Sequence, residues 1–305
     1  MQGPAHGEYE RGELNMLERK GWALDTPGAR KLLNEFPREL KNKLVGCYFE
    51  DDTTSEDAMQ VLEYLTFGSS ITRIIREAPG SAMAFEYLYR FKEPEDPIDA
   101  YFVNSLSGYH VYLRLKALEK NLPYWVGQFT PNPERIFIDN IGSGPGHDLI
   151  NVLAANPELA QSVHVRNIDI DAEALEIGRK RVRELGLEGS FSFVCGSFHK
   201  VKRRDAHLVM LVGMLCPMPM EMCKKILRIC ARYVHAGGLI IYSTNQTAMK
   251  QWDPFTDFLM RLAGWVQDYK TEHESAKIAT DAGLQYVSQF FDEYLHFQCM
   301  TIARV

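Results

Sequence analysis

Arg135-Ile-Phe-Ile-Asp-Asn-Ile-Gly-Ser-Gly-Pro-Gly-His-Asp-Leu-Ile150 is the stretch that decides the fold, and it reads as strand, glycine turn and helix. Ile136, Phe137, Ile138 and Ile141 form a short apolar run, partly β-branched, as a strand covered on both faces of a parallel sheet requires. Gly142, Gly144 and Gly146 follow at alternate positions, where a missing side chain lets the backbone turn sharply and approach a ligand. From His147 the spacing becomes helical, with Leu149, Ile150, Val152 and Leu153 on one side. The helix therefore starts with its free N–H groups towards the turn. A dinucleotide fingerprint wants its third glycine or an alanine where His147 stands, so the spacing here, G-x-G-x-G, is different.

Composition narrows the partners. The chain has 305 residues, 46% of them apolar, ample for a core, and a formal charge of -6 with pI near 5.9. No basic field attracts phosphate backbones, which disfavours nucleic acid and favours a small-molecule ligand. No apolar run approaches the roughly 18 residues of a membrane span, and Met1 to Gly12 is polar and mixed in charge, so a soluble, cytoplasmic protein is expected. Six cysteines form no C-x-x-C pair, and reduced thiols are expected. Cys216, Cys223 and Cys230 recur every seven residues, but Cys223 and Cys230 share a helical face with Ile226 and Leu227, which favours core packing over a metal site.

Up to about Pro123 regular apolar spacing is helical throughout. Ser55, Glu56 and Asp57 cap a helix carrying Ala58, Val61, Leu62 and Leu65, and Pro79-Gly80 and Glu93-Pro-Glu-Asp-Pro97 close later ones. Ile98 to Asn121 is expected to be the last helix before the sheet. Beyond the glycine turn, Ser162 to Asp171 reads as a second strand ending in acid, and Asp169 lies 23 residues past Gly146. A carboxylate at that strand tip is placed to accept ribose hydroxyls. Asp171 is expected to cap the helix Ala172 to Leu185. Phe191 to Cys195 reads as the third strand, and Ala206 to Pro217 as the fourth, breaking at Gly213. Met218 to His235 is expected to be a helix stopped by Gly237-Gly238, with Leu239 to Ser243 the fifth strand. Gln246 to Lys277 reads as an insertion helix whose aromatics pack in the core or wall an acceptor pocket. Leu284 to Phe291 and Tyr294 to Ala303 look like a closing hairpin.

The G-x-G-x-G turn, the acid-tipped second strand and the closing hairpin, in this order, resemble class I S-adenosyl-L-methionine (SAM)-dependent methyltransferases over roughly Ile136 to Val305. The resemblance implies an α/β, Rossmann-like doubly wound sheet with a closing antiparallel strand (residues 124–305), preceded here by an all-α N-terminal lid region (residues 1–123). It implies SAM held by Gly142, Ser143, Gly144, Gly146, Asp169, Ile170 and Gly213, with Ser197 in the place of the family's adenine-binding aspartate and Phe198 stacking beside it. The family's usual acid in the first strand falls on Asn140, while Asp139 is one place out of register; Asn140 is a candidate catalytic residue.

In many such enzymes an arginine or tyrosine on the helix before the first strand binds the cofactor's carboxylate, which makes Tyr109 and Arg114 candidates. Five residues amount to about 500° of helical rotation, so the two point roughly 140° apart. Ser105, Tyr109 and Tyr112 share a face, which is expected to lie over the ligand with Tyr109 and Tyr112 as candidate catalytic residues and Arg114 at the flank.

No Ser/His/Asp triad or metal cluster emerges, and methyl transfer from a sulfonium chiefly needs alignment and dryness. The Asn/Asp-Pro-Pro-Tyr signature of amine methyltransferases is absent at Gly213 to Pro217. A small-molecule methyltransferase is therefore expected. Gly142 to Pro145, Asn167 to Asp171 and Leu211 to Met214 also resemble nicotianamine synthase, which implies as an alternative the transfer, or cyclisation to azetidine-2-carboxylate, of SAM's aminocarboxypropyl arm. A non-catalytic SAM-binding protein and an NAD oxidoreductase are minor alternatives.

Overall fold

The computed structural model describes residues 16–129, 135–200 and 205–305. Eight helices among the described residues precede the sheet: α1 (Met16–Leu24), α2 (Pro27–Glu35), α3 (Arg38–Glu50), α4 (Glu56–Gly68), α5 (Ser70–Glu77), α6 (Ala82–Leu88), α7 (Pro97–Asn104) and α8 (Leu106–Gly127). Ser55 caps α4 by accepting from the Ala58 N–H, as its sequence signature predicts. The remainder runs β1 (Ile136–Ile141), α9 (His147–Ala155), α10 (Pro157–Ser162), β2 (Val163–Asp169), α11 (Ala172–Glu184), β3 (Phe191–Cys195), β4 (Ala206–Leu211), α12 (Met220–Cys230), β5 (Val234–Asn245), α13 (Thr247–Trp252), α14 (Pro254–Leu262), α15 (Glu272–Asp281), β6 (Gln285–Phe291) and β7 (Gln298–Arg304). No helix among the described residues is long and apolar enough to cross a membrane.

The seven strands among the described residues lie in the order β3-β2-β1-β4-β5-β7-β6. The first five are mutually parallel and β7 is antiparallel to both its neighbours. This is the expected doubly wound sheet with its closing antiparallel hairpin, β7 inserting between β5 and β6. The faces are buried as β1 demands: Ile136 and Ile138 sit in one apolar layer with Leu149 and Val152, and Ile141 lies in the other with Leu227 and Ile240. On α12, Cys223, Ile226, Leu227 and Cys230 are buried together, so these thiols fill core volume.

Four boundaries differ from the sequence expectation. The segment Ile98 to Asn121 breaks at Ser105, whose hydroxyl accepts from the Gly108 N–H at 3.0 Å and donates to Phe102 O at 2.9 Å. The break brings the two helices so close that a Cβ on Gly108 would meet Phe102 O at 1.8 Å. Residues 123 and 124 both fall inside α8, so helical region and sheet share one continuous helix across the expected boundary. Gly237 and Gly238 do not stop a helix; they lie within β5, where the register against β4 jumps between Ala206 and Leu208. A Cβ on Gly238 would lie 2.4 Å from Val234 Cγ1, so the irregular pairing needs a glycine there. Finally, the insertion between β5 and β6 is three helices, of which α14 joins the N-terminal region: Phe255 and Phe258 are fully buried and pack edge-on against Tyr48 at 5.0 and 5.5 Å. The N-terminal helices therefore bury their apolar faces against this insertion and form one core with it.

Candidate active site

The strand order reverses between β1 and β4, where parallel sheets leave a crevice beyond their C-terminal ends. A cavity of about 640 Å³ opens there, within the roughly 300–1,000 Å³ usual for small-molecule sites.

Its floor is the glycine turn. Gly142, Gly144 and Gly146 have φ of 62°, 52° and 79°, left-handed values that an L side chain rarely adopts. A Cβ on Gly144 would lie 2.8 Å from Ala82 Cβ on α6, and one on Gly146 2.3 Å from Asn167 Nδ2. The turn is thus wedged between the helical region and β2. Its amides are committed internally: Gly142 and Ser143 donate to Ile168 O at 2.9 and 3.3 Å, Gly146 donates to Ser143 O at 2.9 Å, and Gly144 donates to Asp169 Oδ2 at 2.7 Å. A pyrophosphate needs such N–H groups free. A ligand without phosphate needs only the close approach, which these glycines permit.

Gly142, Ser143 and Gly144 line the cavity, whereas Gly146 sits behind the turn against Asn167. Asp169 lines it at the tip of β2, its other oxygen accepting from the Asp171 N–H at 2.9 Å. Asp171 caps α11 as expected, accepting from Glu173 and Ala174. Ile170, Ser197 and Phe198 form the outer wall, with Ile170 79% exposed at the mouth. Gly213 lies beyond the tip of β4 at φ 83°, its N–H held by Ser243 Oγ at 2.7 Å.

Asn140 also lines the cavity, buried, and donates to Asn167 Oδ1 at 3.1 Å. The out-of-register acid does not replace the carboxylate missing there. Asp139 is gripped at both oxygens by Arg166 of β2, at 2.9 and 2.6 Å, on the opposite side of the strand.

Helix α8 is turned opposite to the expectation. Arg114, 3% exposed, lines the cavity with Ser107, His110 and Val111, while Tyr109 and Tyr112 lie outside it. The two tyrosines stack on each other at 6.0 Å beneath the Arg90 guanidinium. The cause is visible along the helix. Leu115, Leu118 and Leu122 are fully buried and fix which side faces inward, and Ser107 and Arg114 lie near that stripe. Asp253 reinforces this orientation from the insertion, accepting from the Ser107 N–H at 2.7 Å while its other oxygen caps α14 through Thr256.

The inner half of the cavity is apolar, walled by Ile71 and Ile75 of α5, Phe85 of α6, Phe102 of α7, Met260 of α14 and Trp265. Within it stands the Arg114 guanidinium, which donates to Gln298 Oε1 at 2.9 Å and to the Tyr89 hydroxyl, and lies 5.4 Å from the ring centres of both Phe85 and Tyr89. Burial pushes the Tyr89 hydroxyl and the Asp148 carboxyl upward in pKa, opposed in each case by Arg114. His110 is held neutral, its pKa pushed down to about 3 by burial and then by Arg114. Its Nδ1 bonds Ser107 O, which can only accept, so Nδ1 carries the proton and Nε2 is left as an acceptor. At the junction of the two halves, His147 Nε2 bonds Glu86 Oε1 at 2.6 Å, tying α9 to α6.

Trp265, one of the insertion's aromatics, does wall the cavity. Tyr89, Phe85, His110, Asp148 and Gln298 were not legible as site residues; only His110 carried a signal, since it shares the buried stripe of α8 with Arg114, and the others come from segments that the fold alone brings together.

The frame of the site is a Rossmann-like sheet in this strand order with a glycine turn whose amides are engaged by the protein itself. Residues 136–283 match the family described as methyltransferase domain. That match spans a little under half of the chain, and together with the fold it makes the protein similar to class I SAM-dependent methyltransferases. No curated protein sequence matches it significantly. Among solved structures it is similar to a "possible exported protein" from Bordetella parapertussis, at 15% identity and TM-score 0.67, covering 92% of this chain and 99% of that one. Magnesium protoporphyrin IX methyltransferase from Synechocystis, with bound S-adenosylhomocysteine, superposes at 13% identity and TM-score 0.55, covering 77% and 99%. An O-methyltransferase family 2 protein from Planctomyces limnophilus, in complex with apigenin, does so at 14% identity and TM-score 0.53, covering 94% and 92%. At these identities the likeness is one of fold.

Proposed function

We propose that the chain transfers the methyl group of SAM to a small-molecule acceptor held in the apolar inner half of the cavity. The observation that carries this is the single cavity joining the glycine turn and Asp169 to a chamber walled by helices. SAM supplies an electrophilic methyl group on a sulfonium. Asp169 has a lone pair on each oxygen beyond those engaged by Gly144 and Asp171, and accepts the ribose hydroxyls. Ser197 and Phe198, at the tip of β3, take the adenine. Asn140 and the turn Gly142 to Gly144 hold the amino-acid arm. Helices α5, α6, α8 and α14 exclude water and fix the acceptor's angle of approach, which is most of what such a displacement requires. In keeping with the acidic surface, the acceptor is a small molecule and not a nucleic acid.

The test is to incubate the protein with SAM carrying an isotopically labelled methyl group and a library of small aromatic and aliphatic acceptors, and to identify the nucleoside product by mass spectrometry. S-adenosylhomocysteine with label in an acceptor is expected. Methylthioadenosine would mean that the aminocarboxypropyl arm leaves instead, and would overturn methyl transfer.

A further inference from the structure

Arg114 is a buried cation that interacts with the buried Asp148 and Asp292 carboxyls only at a distance. It forms no ion pair within 4.0 Å to any described carboxylate, its two hydrogen-bond acceptors are the neutral Gln298 amide and Tyr89 hydroxyl, and its Nε has no partner. The aromatic faces of Phe85 and Tyr89 offset only part of the cost of taking a guanidinium out of water. A charge left in this condition is expensive, and an anion entering the cavity relieves it.

Position decides which anion. Asp169 marks the ribose end at the tip of β2, on one side of the point where the strand order reverses. Arg114 lies on the other side: a Cβ on Gly213, beyond β4, would meet its Nη1 at 3.3 Å, and it bonds Gln298 of β7, which in turn donates to Asn245 at the end of β5 at 2.8 Å. Around it the chamber is apolar, with Phe102, Met260 and Trp265 in its walls. We infer that the acceptor is an apolar, largely aromatic molecule bearing one carboxylate, and that Arg114 binds that carboxylate. A guanidinium suits this role because its planar fork of donors matches a carboxylate's two oxygens. Tyr89 and Gln298 hold the fork in place.

This inference rests on the methyl-transfer reading of the cavity. SAM also carries a carboxylate, so the experiment separates the two sources. The full-length chain is saturated with S-adenosylhomocysteine and titrated calorimetrically with benzoate, cinnamate and indole-3-acetate, each against its neutral amide. At least one acid is expected to bind tenfold or more tightly than its amide, about 1.4 kcal/mol. Arg114→Gln is expected to erase that preference while leaving S-adenosylhomocysteine affinity within about threefold, and Arg114→Lys to retain part of it. Equal affinity for acids and amides throughout the wild-type series, including no binding of either, overturns the inference without any variant. So does a tenfold loss of S-adenosylhomocysteine affinity in an Arg114→Gln protein with wild-type circular dichroism, which would place SAM's own carboxylate on the guanidinium. If S-adenosylhomocysteine fails to bind the wild-type chain, the methyltransferase reading itself falls.

Discussion

The two halves of the cavity are built on opposite plans. The strand-tip half comes from consecutive stretches, Asn140 to Gly144 and Asp169 to Ile170, and the turn's backbone donors are satisfied by β2 and within the turn itself. The helical half is assembled from α5, α6, α7, α8 and the α13–α14 insertion, segments up to some 190 residues apart in sequence, and holds the buried Arg114 guanidinium. The difference separates two tasks. Holding a constant cofactor needs a fixed backbone shape, which a short motif encodes. Selecting one acceptor needs a side-chain-lined space, which several helices can reshape without touching the sheet.

Because the helical half stands on a core shared between the N-terminal helices and the insertion, its weakest point is that core. Phe258→Ala, which empties a fully buried site beside Tyr48, is expected to cost about 3–5 kcal/mol in urea or guanidinium denaturation. A loss below 1 kcal/mol would mean that the two segments are not one cooperative unit. In the other half, Asp169→Ala is expected to weaken SAM at least tenfold, about 1.4 kcal/mol, in calorimetry, without altering the unfolding midpoint by more than a few degrees. Unchanged SAM affinity would remove Asp169 from the ribose site. The smallest effect belongs outside both halves. Tyr109→Phe removes a hydroxyl from a ring that stacks on Tyr112 away from the cavity, so turnover should stay within twofold. A tenfold loss would put α8 back in the orientation expected from its tyrosines.

That orientation shows where sequence reading stopped. The tyrosine face of Ser105, Tyr109 and Tyr112 looked chemical, but helix rotation follows the apolar stripe of Leu115, Leu118 and Leu122, because burying these leucines, at about 1.5–3 kcal/mol each, outweighs anything a half-exposed tyrosine gains. The stripe was in the sequence all along and placed Arg114 inward. Gly237-Gly238 misled for another reason: a glycine pair signals a helix stop and a bulged strand equally, and only the pairing of β5 with β4 chose between them.

By itself the sequence determined the sheet, the glycine turn, the acid-tipped second strand and the cofactor class. These are local matters of periodicity, backbone freedom and fixed spacing, complete within a few tens of residues. Tertiary structure alone decided that Asp139 pairs with Arg166 and leaves Asn140 in the cavity, that α14 completes the N-terminal core, and that Phe85, Tyr89, Trp265 and Gln298 gather around Arg114 or its chamber. Each of these depends on contacts between residues far apart in the chain, and such contacts are fixed by the free energy of packing the whole molecule rather than by any segment's own preference.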